Sequence, residues 1–378
     1  MTVSIEVQTM KTRVQNIIRR RAVVGAMIVL TMPPIWQIRA GHETQRAPSD
    51  NTRIDLRYVS TKLAPNVAIR RMDIPRQDGS FITVYLCSDR RDILRAKPLL
   101  VLLHGSGGSS VFAALGQKLA IPFPCSELCH HEKNLTDGWN VVLIEKRGIQ
   151  LGDHGEPFGS GYRGCSPEYI SHATIQGRIE DASRVIDQLI GQGLYDKSRL
   201  VVIGHSDGAG VAAGVAAANP NITHVALLGT SGAPTPFNLL TELRGRLETG
   251  QISPQEFTRQ YDSIVTQFRD IHANPLAIDK HYRGHAYRYH ASHFTSRTRD
   301  LFAAGIPVFI GIGSRDFNAV GADLLVVQAI QQSKANLTYR HYVGCDHGFY
   351  TRRTDGTRGP RANVLDDIIQ WVEQTNSQ

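Results

Sequence analysis

The sequence predicts an α/β fold: a doubly wound, mostly parallel sheet of the eight-stranded type, with a helical cap inserted late in the chain. Three observations carry this expectation. Apolar, β-branched runs recur near residues 99–103, 140–145, 200–204, 224–229, 306–312 and 337–343, mostly separated by stretches of helical periodicity. That alternation is what a parallel sheet with crossover helices requires. Ahead of them, Val67–Ile74 and Phe81–Cys87 alternate like an antiparallel pair around the turn signal Arg76-Gln77-Asp78-Gly79. Finally, residues 231–305 break the alternation and carry helical patterns of their own.

The chain begins with a leader. Arg19-Arg20-Arg21 precedes the apolar run Ala22–Leu30, and Pro33-Pro34 follows. A basic region before a short apolar stretch reads as an export signal over residues 1–40, with paired arginines of the twin-arginine kind. The expected location is periplasmic or secreted, and an uncleaved N-terminal anchor is the alternative. The run is shorter than the roughly 20 apolar residues needed to span a bilayer, so no stable membrane span is expected. Residues 41–66 read as a polar, mobile lead-in. Residues 67–230 and 306–378 then form the α/β core, interrupted by the cap at 231–305.

Within the core, Arg199–Ile203 reads as a strand, Gly204-His205-Ser206-Asp207-Gly208 as a tight turn, and Ala209–Ala218 as a helix of small residues. Strand, G-x-S-x-G, helix is the nucleophile-elbow pattern. The glycines give the turn room to lift the Ser206 hydroxyl into a site. A serine hydroxyl needs a base to take its proton, commonly a histidine oriented by a carboxylate. On this architecture the acid and then the histidine follow the serine. The strand at 306–312 runs into Ser314-Arg315-Asp316, and the strand at 337–343 into Gly344-Cys345-Asp346-His347-Gly348-Phe349. Position selects His347 among fifteen histidines and makes Asp316 the candidate acid, with Asp323 and Asp346 as rivals. Asp323 falls within a helical pattern, and Asp346 adjoins the histidine it would have to face.

Acyl transfer also needs two fixed N–H donors for the developing oxyanion. The backbone of Asp207 supplies one. His104-Gly105-Ser106-Gly107-Gly108, after the apolar run 98–103, supplies the other through Ser106 or Gly105. A phosphate-cradling loop would carry Lys-Ser/Thr after its glycines, and none follows.

With these parts placed, the chain resembles the α/β-hydrolase superfamily from about Val67 to the C-terminus. The resemblance rests on HGSGG, GHSDG, GSRD and CDHGF, and on Glu145-Lys146-Arg147-Gly148, which is similar to the superfamily's D-x-R-G stretch. It is greatest to secreted bacterial hydrolases, and it implies a serine esterase that works without a cofactor. Asp207 departs from the Met or Gln that many members carry after the nucleophile. Its carboxylate suits a helix N-terminus, or it binds a basic group of the cap or substrate.

The cap reads as two helices and a polar–aromatic segment. Leu239, Leu240, Leu243 and Leu247 share one face up to Gly250. Ser253-Pro254-Gln255-Glu256 then forms a capping box, and Phe257, Tyr261, Ile264, Val265 and Phe268 continue the apolar stripe. His281–Phe294 is dense in His, Tyr and Arg. It lacks H-E-x-x-H or an equivalent, so no metal is expected. It reads either as a partly packed loop or as a substrate wall, with His285, Tyr287, Arg288 and Tyr289 as contact candidates and Arg283 or Arg288 placed to meet an anion.

Charge and cysteines bound the rest. The net charge of +8 lies largely in the leader: without residues 1–40, 36 basic residues face 33 acidic ones. No basic stripe with interleaved aromatics is present, so no nucleic-acid partner is expected. An exported protein permits disulfides. Cys165 and Cys345 fall on loops of one presumed face and are candidates to pair. Cys125-x-x-x-Cys129-His130-His131 reads as a local disulfide or two plain cysteines, because a zinc site needs a clear second pair of ligands. The expected partner is a small-molecule ester. A serine aminopeptidase and a non-catalytic binding protein on the same scaffold are the alternative functions.

Overall fold

The computed structural model describes residues 54–129, 135–155, 165–295, 301–302, 305–353 and 355–375. The leader, the first part of the lead-in, His130 and His131 lie outside them.

Eight strands form one sheet: β1 (Val67–Pro75), β2 (Phe81–Asp89), β3 (Lys97–Leu103), β4 (Asn140–Ile144), β5 (Tyr195–His205), β6 (His224–Leu228), β7 (Val308–Gly313) and β8 (Leu337–Tyr342). Their spatial order is β1-β2-β4-β3-β5-β6-β7-β8. β1, β2 and β4 pair antiparallel, and every pairing from β4 to β8 is parallel. Central parallel strands are covered on both faces, which explains their uninterrupted apolar sequences. In β3, Leu99, Val101 and Leu103 pack on one side and Leu100 and Leu102 on the other, the two-residue period of a strand.

Around the sheet lie the α-helices α1 (Leu56–Ser60), α2 (Leu135–Gly138), α3 (Pro167–His172), α4 (Ile175–Gly191), α5 (Asp207–Ala218), α6 (Thr235–Glu248), α7 (Pro254–Ala273), α8 (Tyr287–Ser292), α9 (Ala319–Gln331) and α10 (Val364–Thr375). α4 and α5 cover the first face of the sheet through Ile179, Ala182, Ile186, Val211 and Val215. α10 covers the second through Ile368 and Val372. The small residues of α5 let it lie close to α4: a Cβ at Gly214 would collide with the Ile179 side chain.

Ala173 and Thr174 separate α4 from α3, and the Thr174 hydroxyl caps α4 by accepting from the Gly177 N–H at 3.1 Å. Two expectations need correction. Residues 54–66 of the lead-in are not a mobile polar segment: α1 buries Val59, and Leu63 and Ala64 follow it into the core. All five cysteines are free thiols, so neither the Cys165–Cys345 pair nor the local Cys125–Cys129 bridge forms.

Between β6 and β7, α6, α7 and α8 enclose a small core of Leu239, Leu243, Ile264, Phe268, Ile271 and Tyr287. They belong to the same compact unit as the sheet. Ser253 caps α7 by accepting from the Glu256 N–H at 3.1 Å, while the Glu256 carboxylate turns to Arg259 and Gln260. The capping box is therefore half formed. No helix among the described residues is long and apolar enough to cross a membrane.

Candidate active site

The elbow joins β5 to α5 at Ser206, which has φ 56° and ψ −121°. A non-glycine residue with positive φ is strained, and the surrounding packing explains why the strain persists. A Cβ at Gly204 would strike the carbonyl oxygen of Gly208, and one at Gly208 would strike that of Leu103. Only glycine fits at either place. The Ser206 N–H donates to Leu228 O at 2.8 Å, tying the turn to β6.

Asp316 lies just past β7, buried with its side chain fully enclosed. Its Oδ1 accepts from the Asn318 N–H at 2.8 Å, and its Oδ2 accepts from His347 Nδ1 at 2.8 Å. A proton on Nδ1 leaves Nε2 of His347 as the basic nitrogen. The rival acids are engaged elsewhere. Asp346 accepts from the N–H groups of Gly348 and Tyr350, and Asp323 from the Tyr339 hydroxyl. Among the described residues no hydrogen bond joins Ser206 Oγ to His347. Such contacts are often long without substrate and tighten on binding. His205 links the two: its Nε2 donates to His347 O at 2.8 Å, and its ring lies 4.8 Å from the His347 ring. Burial lowers the pKa of His205 to about 3, so it serves as a neutral brace.

The donor side is equally defined. Asp207 is the first residue of α5, where an N–H has no intrahelical acceptor. Gly105 abuts the nucleophile, since a Cβ there would lie 3.1 Å from Ser206 Cβ. Nζ of Lys146 donates to Gly105 O and Gly107 O, both at 2.6 Å, and approaches His104 Nδ1 at 3.4 Å. A peptide plane is rigid and trans. Pinning the Gly105 carbonyl on one side therefore directs the Ser106 N–H to the other. Ser106, Ser206 and Asp207 line one cavity of about 170 Å³.

Comparison with known proteins addresses the fold. No family model and no curated protein matches the sequence. Among solved structures, a protein from Bacteroides ovatus bearing the name dipeptidyl aminopeptidase IV aligns over 82% of this chain at 14% identity, with a TM-score of 0.50. The chain spans about a third of that protein's length (36%). The fold is that of an α/β-hydrolase. A Klebsiella pneumoniae protein named as a dienelactone hydrolase aligns over 75% of this chain and 88% of its own, at 14% identity and a TM-score of 0.45. A carboxylesterase structure from Nitrososphaera gargenis aligns over 73% and 91%, at 18% identity and 0.41.

On the α/β-hydrolase scaffold the cap supplies the far wall of the cavity, and it divides the sequence candidates. His285 and Tyr289 line the cavity, their rings stacked at 4.0 Å and 16°. Tyr287 does not: its hydroxyl is bound to Asp270 at 2.8 Å and to Gln267, inside the cap core. Arg288 does not either. It donates to Ser171 O at 2.9 Å and borders an adjoining cavity of about 500 Å³ with Lys146 and Arg178, which shares Asp207, Tyr289 and Ser292 with the first. Their expected substrate contacts are corrected on this geometry, since α8 turns both side chains away from Ser206.

Asp207 binds the cap. Its carboxylate meets His293 Nε2 and, at 3.5 Å, Arg178 of α4, which also holds His104 O at 2.7 Å. Burial alone would raise the pKa of Asp207. His293 and then Arg178 outweigh it and hold the carboxyl well below its ordinary range. Burial would lower the pKa of His293, but Asp207 raises it above the ordinary histidine value. Geometry agrees: His293 Nδ1 faces Tyr289 O at 2.7 Å, so both ring nitrogens face acceptors and the ring is an imidazolium. Glu145 accepts from Ser110 Oγ and the Val111 N–H, and burial raises its pKa to about 7.

Lys146, Arg178, His205, His290 and His293 were not singled out from sequence as site residues. Lys146 sat within a recognised stretch, but nothing in a linear pattern says that a lysine will reach back to a glycine loop 41 residues earlier.

Proposed function

We propose that the protein is a serine hydrolase that cleaves a small carboxylic ester through an acyl-enzyme. The observation that carries this reading is the Asp316–His347 hydrogen bond beside the strained elbow that presents Ser206. In the proposed cycle His347 Nε2 takes the Ser206 proton as Oγ attacks the ester carbonyl. The oxyanion is met by the N–H groups of Asp207 and Ser106. His347 returns the proton to the departing alcohol, and water repeats the sequence to release the acid. Asp316 holds the imidazole and stabilises its cation.

The choice of ester over aminoacyl substrate rests on the acids. An aminopeptidase needs a carboxylate free to hold an α-amine. Asp207 is committed to His293 and Arg178, and Glu145 faces away from the cavity into Ser110. Export to the periplasm or medium, directed by residues 1–40, completes the proposal.

Fluorophosphonate labelling tests the chemistry. Ser206→Ala and His347→Ala should each abolish it, without additive loss in the double variant. Labelling that survives in Ser206→Ala would overturn the reading. Turnover of aminoacyl anilides, with none of 4-nitrophenyl esters, would favour the peptidase alternative.

A further inference from the structure

The cap contributes one feature that the hydrolytic reading does not use. Strands His281–Tyr282 and His285–Ala286 pair with Tyr282 opposite His285, so Arg283 and Gly284 alone make the turn. Their φ values are 44° and 80°. Positive φ at both central positions defines a type I′ turn, whose first place favours Asn, Asp or Gly. Arginine there carries backbone strain that asparagine would relieve. Strain of this kind gathers where a side chain is needed at one place.

Arg283 lines the same 170 Å³ cavity as Ser206. It is half-buried, and its guanidinium lies 5.8 Å from the Tyr282 ring centroid. It has no carboxylate partner among the described residues. Among the described lining residues the acidic side chain is Asp207, and His293 and Arg178 already occupy it. His285 and His290 also line the wall, but burial lowers their pKa values to about 3 and about 4, so both are neutral. Among the described lining residues, Arg283 therefore stands as a positive charge without a carboxylate partner. His290 Nε2 donates to Tyr282 O at 2.7 Å, and its Nδ1 is buried without a partner among the described residues. A cavity of about 150 Å³ holds a benzene ring, so the space suits a small molecule.

We propose that the substrate is a small ester bearing a carboxylate, and that Arg283 is the specificity residue that receives it. The proposal rests on the ester reading for its chemistry, while its binding step stands independently. Arginine suits this role because its planar fork of donors matches a carboxylate.

The test replaces Arg283 by Asn, which removes the charge and supplies a residue the turn prefers, so the melting temperature should hold or rise. The kcat/KM of mono-4-nitrophenyl glutarate (carboxylate on the acyl side) or of 4-acetoxybenzoate (carboxylate on the leaving group) should fall about 10- to 100-fold, as expected for losing a hydrogen bond to a charged group. The neutral esters 4-nitrophenyl butyrate and phenyl acetate should change little, and Arg283→Lys should recover part of the loss. A parallel fall on all four esters, or no fall on either anionic one, would overturn the proposal. A second arm titrates glutarate and 4-hydroxybenzoate into Ser206→Ala protein by calorimetry, with and without Arg283→Asn. Binding that vanishes with Arg283 supports the assignment even if no ester is ever turned over. Equal binding in both proteins, or none in either, counts against it. Absence of all ester turnover in the unaltered protein would count only against the hydrolytic reading.

Discussion

The two walls of the cavity are held by different physics. On the sheet side, Ser206 sits on a turn whose shape is enforced by backbone collisions at Gly204 and Gly208, and Asp316 is clamped by the Asn318 N–H. On the cap side, His285, Tyr289 and His293 are placed by a stacked ring pair at 4.0 Å, a tilted one at 4.3 Å and one ion pair to Asp207. Strand ends and buried turns have no alternative arrangement at small cost. A stack of side chains on a short helix can repack. On the proposed reading the chemistry lies on the stiffer wall, and substrate choice on the more adjustable one.

The largest effect that would break this contrast is on the sheet side. Asp316→Asn should lower kcat by about 10⁴-fold, the size seen for this change in another serine hydrolase. Fluorophosphonate labelling should slow in step. If Asp323→Asn or Asp346→Asn proved far more damaging, the assignment of the acid would be wrong.

A smaller loss is expected from the support behind the donor loop. Lys146→Met removes the anchor of the Gly105 and Gly107 carbonyls, so kcat should fall by about 10²-fold with KM little changed, the scale of one oxyanion donor. Circular dichroism should show the fold retained. A rise in KM at constant kcat would instead assign Lys146 to substrate binding.

The joint between the walls should appear in stability. Removing one partner of a buried pair costs about 3 kcal/mol, so His293→Gln should lower the melting temperature clearly near pH 6. Its pH dependence has a definite sign. The pKa of His293 is raised on folding, so its contribution is complete below its unfolded value near 6.5 and is lost as pH rises through the folded value. Asp207 is lowered on folding, so its contribution is present above roughly pH 4 and is lost only as the pH falls further. His205, His285 and His290 are depressed by burial and act oppositely to His293. The unfolded chain takes up their protons first, so stability falls as pH drops below about 6.5. Melting curves across pH 4–9 should therefore fall on both sides in the unaltered protein. In His293→Gln the alkaline decline should flatten.

The smallest effect separates the two tyrosines. Tyr287→Phe removes hydrogen bonds to Asp270 and Gln267 and should cost about 1 kcal/mol of stability. Relative kcat/KM over a graded ester series should be unchanged. Tyr289→Ala, which opens the cavity wall, should alter those ratios while sparing fluorophosphonate labelling. A selectivity change in Tyr287→Phe would show that the cap core and the cavity wall are coupled.

What the sequence by itself determined is what rests on local periodicity and on tight backbone geometry. Apolar runs announced the parallel strands because central strands are buried on both faces. Gly204 and Gly208 announced the elbow because no side chain fits at either position. Chain order then pointed to Asp316 and His347. What only the tertiary structure decided depends on which way a side chain points once elements pack. Tyr287 and Tyr289 are two residues apart on α8, yet one enters the cap core and the other the cavity, because helix rotation separates them. Lys146 reaches a loop far back in sequence, and Asp207 finds its partner in a histidine 86 residues away. Such contacts leave no periodic trace, because they are set by the meeting of two surfaces and not by the pattern along either one.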